Sequence, residues 1–273
     1  MPQPVTPRHV VLNLVRTAKQ RSVSIRQLIK VCSLFAFTPN AVRVAVARLV
    51  TDELLESDER GSYRLGQAAA ATHAHVEAWR SGEARVRPWK GEWLAVALPQ
   101  KPERSTRRLS LRALTRLGLR EGLPQMWVRP DNLREPLDAT RERLRALGLE
   151  EQAEVFCARD FGESLTQRFR TELWPKHNLL RSYESTLRDL TRSLPQLPRM
   201  PHETALVQSF LLGGGAIRVL ATDPLLPEQI LSAEPRAKLT ATMLRYDAVG
   251  RALWRDFAAE PELVLLHGGR HVG

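Results

Sequence analysis

The stretch Thr38–Leu65 permits few architectures, because it sets a capped amphipathic helix directly before a short hairpin. Thr38 is an N-cap residue, Pro39 suits the first helical position, and Val42, Ala45, Val46 and Leu49 recur at helical spacing. That stripe predicts a buried face. The opposite face gathers Asn40, Arg43, Val44, Ala47 and Arg48, a mixture of base-edge donors, cations and small residues that permit close approach to a groove floor. Upstream, Ser24 and Gln27 have the spacing of a capping box, and Ile25, Leu28 and Ile29 supply the inner side of a helix ending near Val31. The short turn Cys32–Phe37 forces a steep crossing between the two helices. Downstream, Leu54–Ser57 and Ser62–Leu65 read as strands around Asp58-Glu59-Arg60-Gly61, where Gly61 supplies the permissive backbone of a tight hairpin.

This order predicts a winged helix-turn-helix over residues 1–68. Asn40 and Arg43 are expected at base edges, Arg26, Arg48 and Arg64 at phosphates, with Thr38, Val44 and Ala47 completing the contact face and Tyr63 steadying the wing. Charge agrees: 41 Lys and Arg against 30 Asp and Glu give a formal net charge of +11, which favours an anionic partner. In the same segment the acids Asp52, Glu53, Glu56, Asp58 and Glu59 gather near the wing, while Arg8, Arg16, Lys19, Arg21, Arg26, Lys30, Arg43 and Arg48 precede them.

The remaining chain is long enough for further cores. Residues 69–87 read as a helical linker begun by the Ala-rich Gln67–Thr72. Over 88–160, strand-like Trp93–Leu98, a helix Arg104–Leu117, a further strand near Leu119–Leu123, strand Met126–Arg129, an Asp131-capped helix carrying Leu133, Leu137, Leu144 and Leu147, and strand Ala153–Ala158 follow the order of a ferredoxin-like α/β sandwich. Residues 161–262 read as mainly helical, with one apolar stripe at Leu180, Tyr183, Leu187, Leu190 and Leu194 and another at Leu239, Met243, Tyr246, Leu253 and Phe257. Pro195, Pro198 and Pro201 predict an extended connection, and Gly213-Gly214-Gly215, without a following Lys-Ser or Lys-Thr, predicts a flexible helix end rather than a phosphate loop. Residues 263–273 form a tail. The expected class is α+β.

No apolar run is expected to reach the roughly 20 residues of a bilayer span, and Pro2, Pro4 and Pro7 interrupt the place of a signal-peptide core, so a cytoplasmic chain is expected. Cys32 and Cys157 are expected to be small buried residues rather than a disulfide. Chemistry finds little purchase. His73 and His75 would diverge on a helix, and His267 and His271 have no Cys or carboxylate nearby, so no metal or cofactor is expected. Ser62, Ser110 and Ser209 lack a nucleophile-elbow context. Trp89, Trp93 and Trp127 read as core or interface aromatics. Arg104, Arg108, Arg112, Arg116 and Arg120 recur every four residues, which suits either a solvated ridge over Leu109, Leu111 and Leu114 or a surface for phosphates, including those of a CoA effector.

Several motifs occur in a collinear order. They are Thr38-Pro39-Asn40-Ala41-Val42-Arg43 with Ala47, Arg48 and Leu49; Ser62-Tyr63-Arg64-Leu65; Gly91-Glu92-Trp93-Leu94; and Leu117-Gly118-Leu119. Trp127-Val128-Arg129-Pro130, Leu173-Trp174, Tyr183 and Asp223-Pro224-Leu225-Leu226-Pro227 follow. Together they resemble the phenylacetic-acid-degradation repressor family, the PaaX-like regulators. The resemblance implies a homodimeric repressor on operator DNA, with a winged helix, a ferredoxin-like domain similar to that of a small CRISPR-associated endonuclease, and a helical C-terminal domain. It also implies release from DNA by an aryl- or acyl-CoA thioester. The chain departs from the family after Pro227, with Glu234-Pro235-Arg236 where a Trp-x-Gly element is common. The alternative class is a metal-dependent nuclease or RNA-processing factor built on the central domain. Such chemistry needs a carboxylate at the end of the first central strand. That strand instead runs into Leu98-Pro99-Gln100-Lys101.

Overall fold

Two caps of one kind start the N-terminal unit. Thr6 and Thr38 each precede a proline, and each hydroxyl accepts the backbone N–H three residues on, from His9 at 3.2 Å and Ala41 at 3.3 Å. They open α1 (Pro7–Thr17) and α3 (Pro39–Thr51), and the reciprocal Ser24–Gln27 capping box opens α2 (Ile25–Ser33). The computed structural model describes residues 5–18, 22–58, 61–100 and 103–259, a mixed α+β chain with two small antiparallel sheets. Lys19, Arg21, Glu59, Arg60, Lys101, His267 and His271 lie outside the described residues.

The first sheet joins β1 (Val23–Ser24), β2 (Leu55–Ser57) and β3 (Ser62–Leu65) in the order β1-β3-β2, with Val23 opposite Tyr63 and Leu55 opposite Leu65. Val10, Val11, Leu28, Val42, Leu49 and Leu55 are buried beneath the three helices. This core is not closed by its own segment: Leu206 and Phe257, from the far end of the chain, are buried in it, and Phe35 meets Phe210 edge-on at 5.0 Å.

The second sheet follows β4 (Trp93–Ala97), α5 (Arg104–Arg116), β5 (Arg120–Leu123), β6 (Met126–Pro130), α6 (Leu137–Ala146) and β7 (Glu154–Ala158), with strand order β5-β6-β4-β7. Strand alternation sorts β4 cleanly. Leu94 and Val96 join Leu114, Leu144 and Leu147 under α5 and α6, whereas Trp93 and Ala95 join Phe169, Trp174 and Tyr183 on the opposite face. That second face is covered by α7 (Glu163–Glu172), α8 (Lys176–Ser193), α9 (His202–Ala221) and α10 (Glu234–Ala259). The edge carbonyls of β7 are capped from α6: Arg141 donates to Val155 O at 2.7 Å, and Arg145 reaches Ala153 O, just before the strand, at 2.6 Å. Guanidinium groups on an edge oppose pairing with a further strand.

Several sequence expectations are corrected. The helix expected from Asp131 starts only at Leu137, since Pro136 has no N–H to give a helix interior and biases Glu135 towards extended backbone. Asp131 instead accepts from Arg87 at 2.8 Å, and Leu133 bridges to Val86. Gly213-Gly214-Gly215 sit inside α9 rather than at its end, because burial of Leu206, Ala216 and Leu220 outweighs glycine's poor propensity. Gly213 faces Met243 and Tyr246 of α10, which a Cβ there would meet at ordinary contact distance. The Pro195–Pro201 connection is not extended but turns through a 3-10 stretch, Leu197–Arg199, anchored by buried Leu197. Cys32 is buried, with its thiol pushed up to about 11 by desolvation, but Cys157 is exposed on edge strand β7. Among the described residues one helix, α9, is long and apolar enough by length and composition to cross a bilayer, contrary to the sequence expectation; here it packs against α8 and α10.

Residues after the first sheet form α4 (Gln67–Glu77) and a 3-10 stretch, Ala78–Arg85, whose Trp79 is buried in the same core as Met243 and Tyr246. A seam of polar contacts then locks sheet to helices. Buried Arg129 donates to Leu117 O and, at 3.1 Å, to Pro224 O; Asn132 donates to Leu225 O at 2.7 Å; Trp174 donates to Gly118 O at 3.1 Å. Tyr183 donates to Asp223, whose other oxygen faces Arg236. Most of the collinear motifs after the wing therefore meet at one place, and they act there through packing and backbone capture.

His75 in α4 is buried, and its Nδ1 accepts from Arg143 at 2.8 Å. Desolvation, then the nearby Arg143, Arg85 and Arg116, pushes its pKa down to about 4. The folded state thus holds the ring neutral while the unfolded chain protonates it near pH 6.5. Stability from this group is present above that pH and is lost as pH falls towards 4. The expected loss is about 3 kcal/mol. Urea melts at pH 7.5 and 4.5 measure it, and His75→Gln should remove most of the difference.

Candidate nucleic-acid interface

The outer face of α3 is uncommitted. Asn40, Arg43, Val44, Ala47 and Arg48 are all exposed, and among the described residues the side chains of Asn40, Arg43 and Arg48 make no hydrogen bond or ion pair. Val42, Ala45, Val46 and Leu49 are buried on the other side, as the stripe predicts. Thr38 is exposed at the cap, where its hydroxyl is engaged with the helix. Arg26 on α2 is exposed as well. The one acid closing α3, Asp52, is held by Arg8 at 2.6 Å, which keeps its charge compensated at the far end of the helix.

Between β2 and β3, Gly61 has φ of +71°, and Asp58 Oδ1 accepts from Ser62 N–H at 2.8 Å; Glu59 and Arg60 lie outside the described residues. Tyr63 is half-buried against the core and pairs with both neighbouring strands. Arg64 differs from expectation: it stands opposite Glu56, and its Nε donates to that carboxylate at 2.9 Å. Its charge is already partnered within the β2–β3 pair, and at an exposed pair this tie is weak.

The arginine ridge is a real surface but not the five-residue line expected from spacing. Arg104, Arg108, Arg112 and Arg116 lie on α5, while Arg120 lies on β5 and donates to Leu119 O. Arg107, three residues from Arg104, joins the ridge instead. These five line a shallow groove of about 590 Å³ together with Leu111 and Thr115. Three-residue spacing was the signal that could have found Arg107.

A second concavity, about 360 Å³, lies where β4, β6 and β7 meet the loop before α6. It holds Glu92, Asp131 and Cys157, whose ligand atoms fall within 4.8 Å of one another. Both carboxylates are paired, Asp131 with Arg87 at 2.8 Å and Glu92 with Arg159 at 3.2 Å. Ser110 and Ser209 serve the fold, accepting from Glu150 N–H at 3.1 Å and donating to Leu206 O at 2.9 Å. Trp89 and Trp93 are buried core residues, and Trp127 is half-buried.

No family model and no curated protein matches the chain. Among solved structures, the fold is similar to that of the uncharacterized protein Rv0674 from Mycobacterium tuberculosis. The two are 22% identical, with 93% of this chain and 99% of that one covered and a TM-score of 0.60. The likeness is one of fold.

Proposed function

We propose that this chain is a DNA-binding transcriptional repressor of the PaaX-like type. The observation that carries the reading is the outer face of α3, where Asn40, Arg43 and Arg48 are exposed and, among the described residues, make no side-chain hydrogen bond or ion pair. Read this way, β1-β3-β2 with α1, α2 and α3 is a winged helix-turn-helix, and α3 is the helix that enters the major groove. Asn40 and Arg43 read base edges, while Arg48 and Arg26 hold phosphates. The β-α-β-β-α-β order with strands β5-β6-β4-β7 supports a ferredoxin-like central domain. A homodimer on an inverted repeat is what the resemblance implies, the second half-site adding to the few base contacts that one α3 can make. A CoA thioester is the effector that the resemblance implies.

Selection of duplexes from a random pool by the full-length chain, followed by footprinting, tests the reading. The expected product is an inverted repeat with both half-sites protected on about one face of the duplex. Recovery of no preferred sequence overturns it, and divalent-cation-dependent cleavage of the pool would favour the nuclease class instead.

A further inference from the structure

The ridge on α5 is costly to its own helix. Cations four residues apart repel, and Arg104 and Arg107 occupy the first turn, where the helix dipole favours acids and where α5 has none. Among the described residues no carboxylate pairs with Arg104, Arg107, Arg108 or Arg112, and Arg116 finds only the Thr72 hydroxyl at 3.3 Å. Burial, then Arg112, lowers the pKa of Arg116. Local stability gives no reason for this arrangement; a polyanion lying along it would.

We infer that the α5 ridge is a second contact to duplex DNA, gripping the phosphate backbone beside the stretch read by α3. Three features favour a duplex over a single compact anion. The charges are strung along a line of about 18 Å rather than gathered to a point. A line of that length spans several successive phosphates of one strand, where a compact anion would engage only one or two of the arginines. The groove is open and lined by one helix, with no enclosed apolar chamber for an acyl group. The ridge is also attached to the reading unit: Thr72, which accepts from Arg116, belongs to α4, which leaves the wing through Gly66, and the charge of Arg116 helps to lower the pKa of Arg16 on α1. This inference rests on the DNA-binding reading above for the identity of the duplex.

The test uses the full-length chain, its Arg104→Gln/Arg108→Gln/Arg112→Gln variant, and the Asn40→Ala/Arg43→Ala variant. All three ridge positions are exposed, and thermal melts check that the fold is kept. Affinity is measured from 50 to 300 mM salt on the selected operator, both trimmed to its half-sites and extended by flanking duplex. The ridge variant is expected to lower the slope of log affinity against log salt by about 2–3 on the extended duplex, to lose at least tenfold in affinity there, and to keep its preference for operator over scrambled sequence. The α3 variant should lose that preference with little change in slope. A ridge variant with the wild-type slope on extended duplex overturns the inference and leaves the α3 reading standing. Loss in the ridge variant with a silent α3 variant supports the ridge and removes α3. Absence of duplex binding by the wild type overturns both. Calorimetric uptake of acetyl-CoA that the ridge variant alone abolishes, with duplex binding unaffected, also overturns it.

Discussion

Replacing Asn40 and Arg43 together by alanine should weaken binding to the selected operator by about 2–6 kcal/mol, with binding to unrelated duplex reduced far less. Each side chain is exposed on α3 and makes no hydrogen bond to the other described residues. Each would therefore be fully available to a base edge, where a good contact discriminates by about 1–3 kcal/mol. Arg48→Ala should act differently, lowering affinity across all sequences and reducing the salt slope by about 1. Anisotropy titrations on operator and scrambled duplexes separate the two behaviours. Normal operator affinity in a folded Asn40→Ala/Arg43→Ala protein would falsify the assignment of the reading face.

Arg236→Met should destabilise the fold by about 3–5 kcal/mol, because it strands buried charge. Arg236 is 2% exposed and holds Glu83 through two hydrogen bonds of 2.6 and 2.9 Å while facing Asp223 at 3.4 Å. These pairings raise its pKa although burial opposes the charge, and Asp223 itself is pushed up by desolvation. Adding Asp223→Asn should restore part of the loss, since a neutral amide no longer needs the cation. Denaturant unfolding of the single and double variants gives the coupling; a single-variant loss under about 1 kcal/mol would mean that Glu83 and Asp223 find other partners.

The legible parts of this chain are those specified by near neighbours. α3, its cap and the β2–β3 pair could be read from the sequence because caps, turn glycine and period lie within a few residues of one another. The same Thr-Pro signature opens α1, yet that helix was not expected, because the prolines there were weighed only against a signal peptide. What escaped depends on distant pairing. Arg236 and Glu83 are 153 residues apart, and an arginine in an amphipathic segment looks like surface until its partner is known. Arg64 likewise looked free because the β2–β3 register that sets it opposite Glu56 is not written in composition. At the ridge, counting by four carried the line past the end of α5 onto β5, and only the helix boundary at Arg116 exchanges Arg120 for Arg107.

The shared core of the N-terminal unit has a practical corollary for anyone recombining such proteins. Lys30 lies 4.5 Å over the ring of Phe257, and Leu206 is wholly buried among residues of α1, α2 and α3. The first 65 residues are thus not an exchangeable cassette. Moved onto another body they would carry an open apolar wound, and α9 and α10 left behind would carry its mirror image. Chimaeras should keep their footing only when Leu206, Phe210 and Phe257 travel with the graft, so the natural unit of inheritance is the head and its two distant helices together.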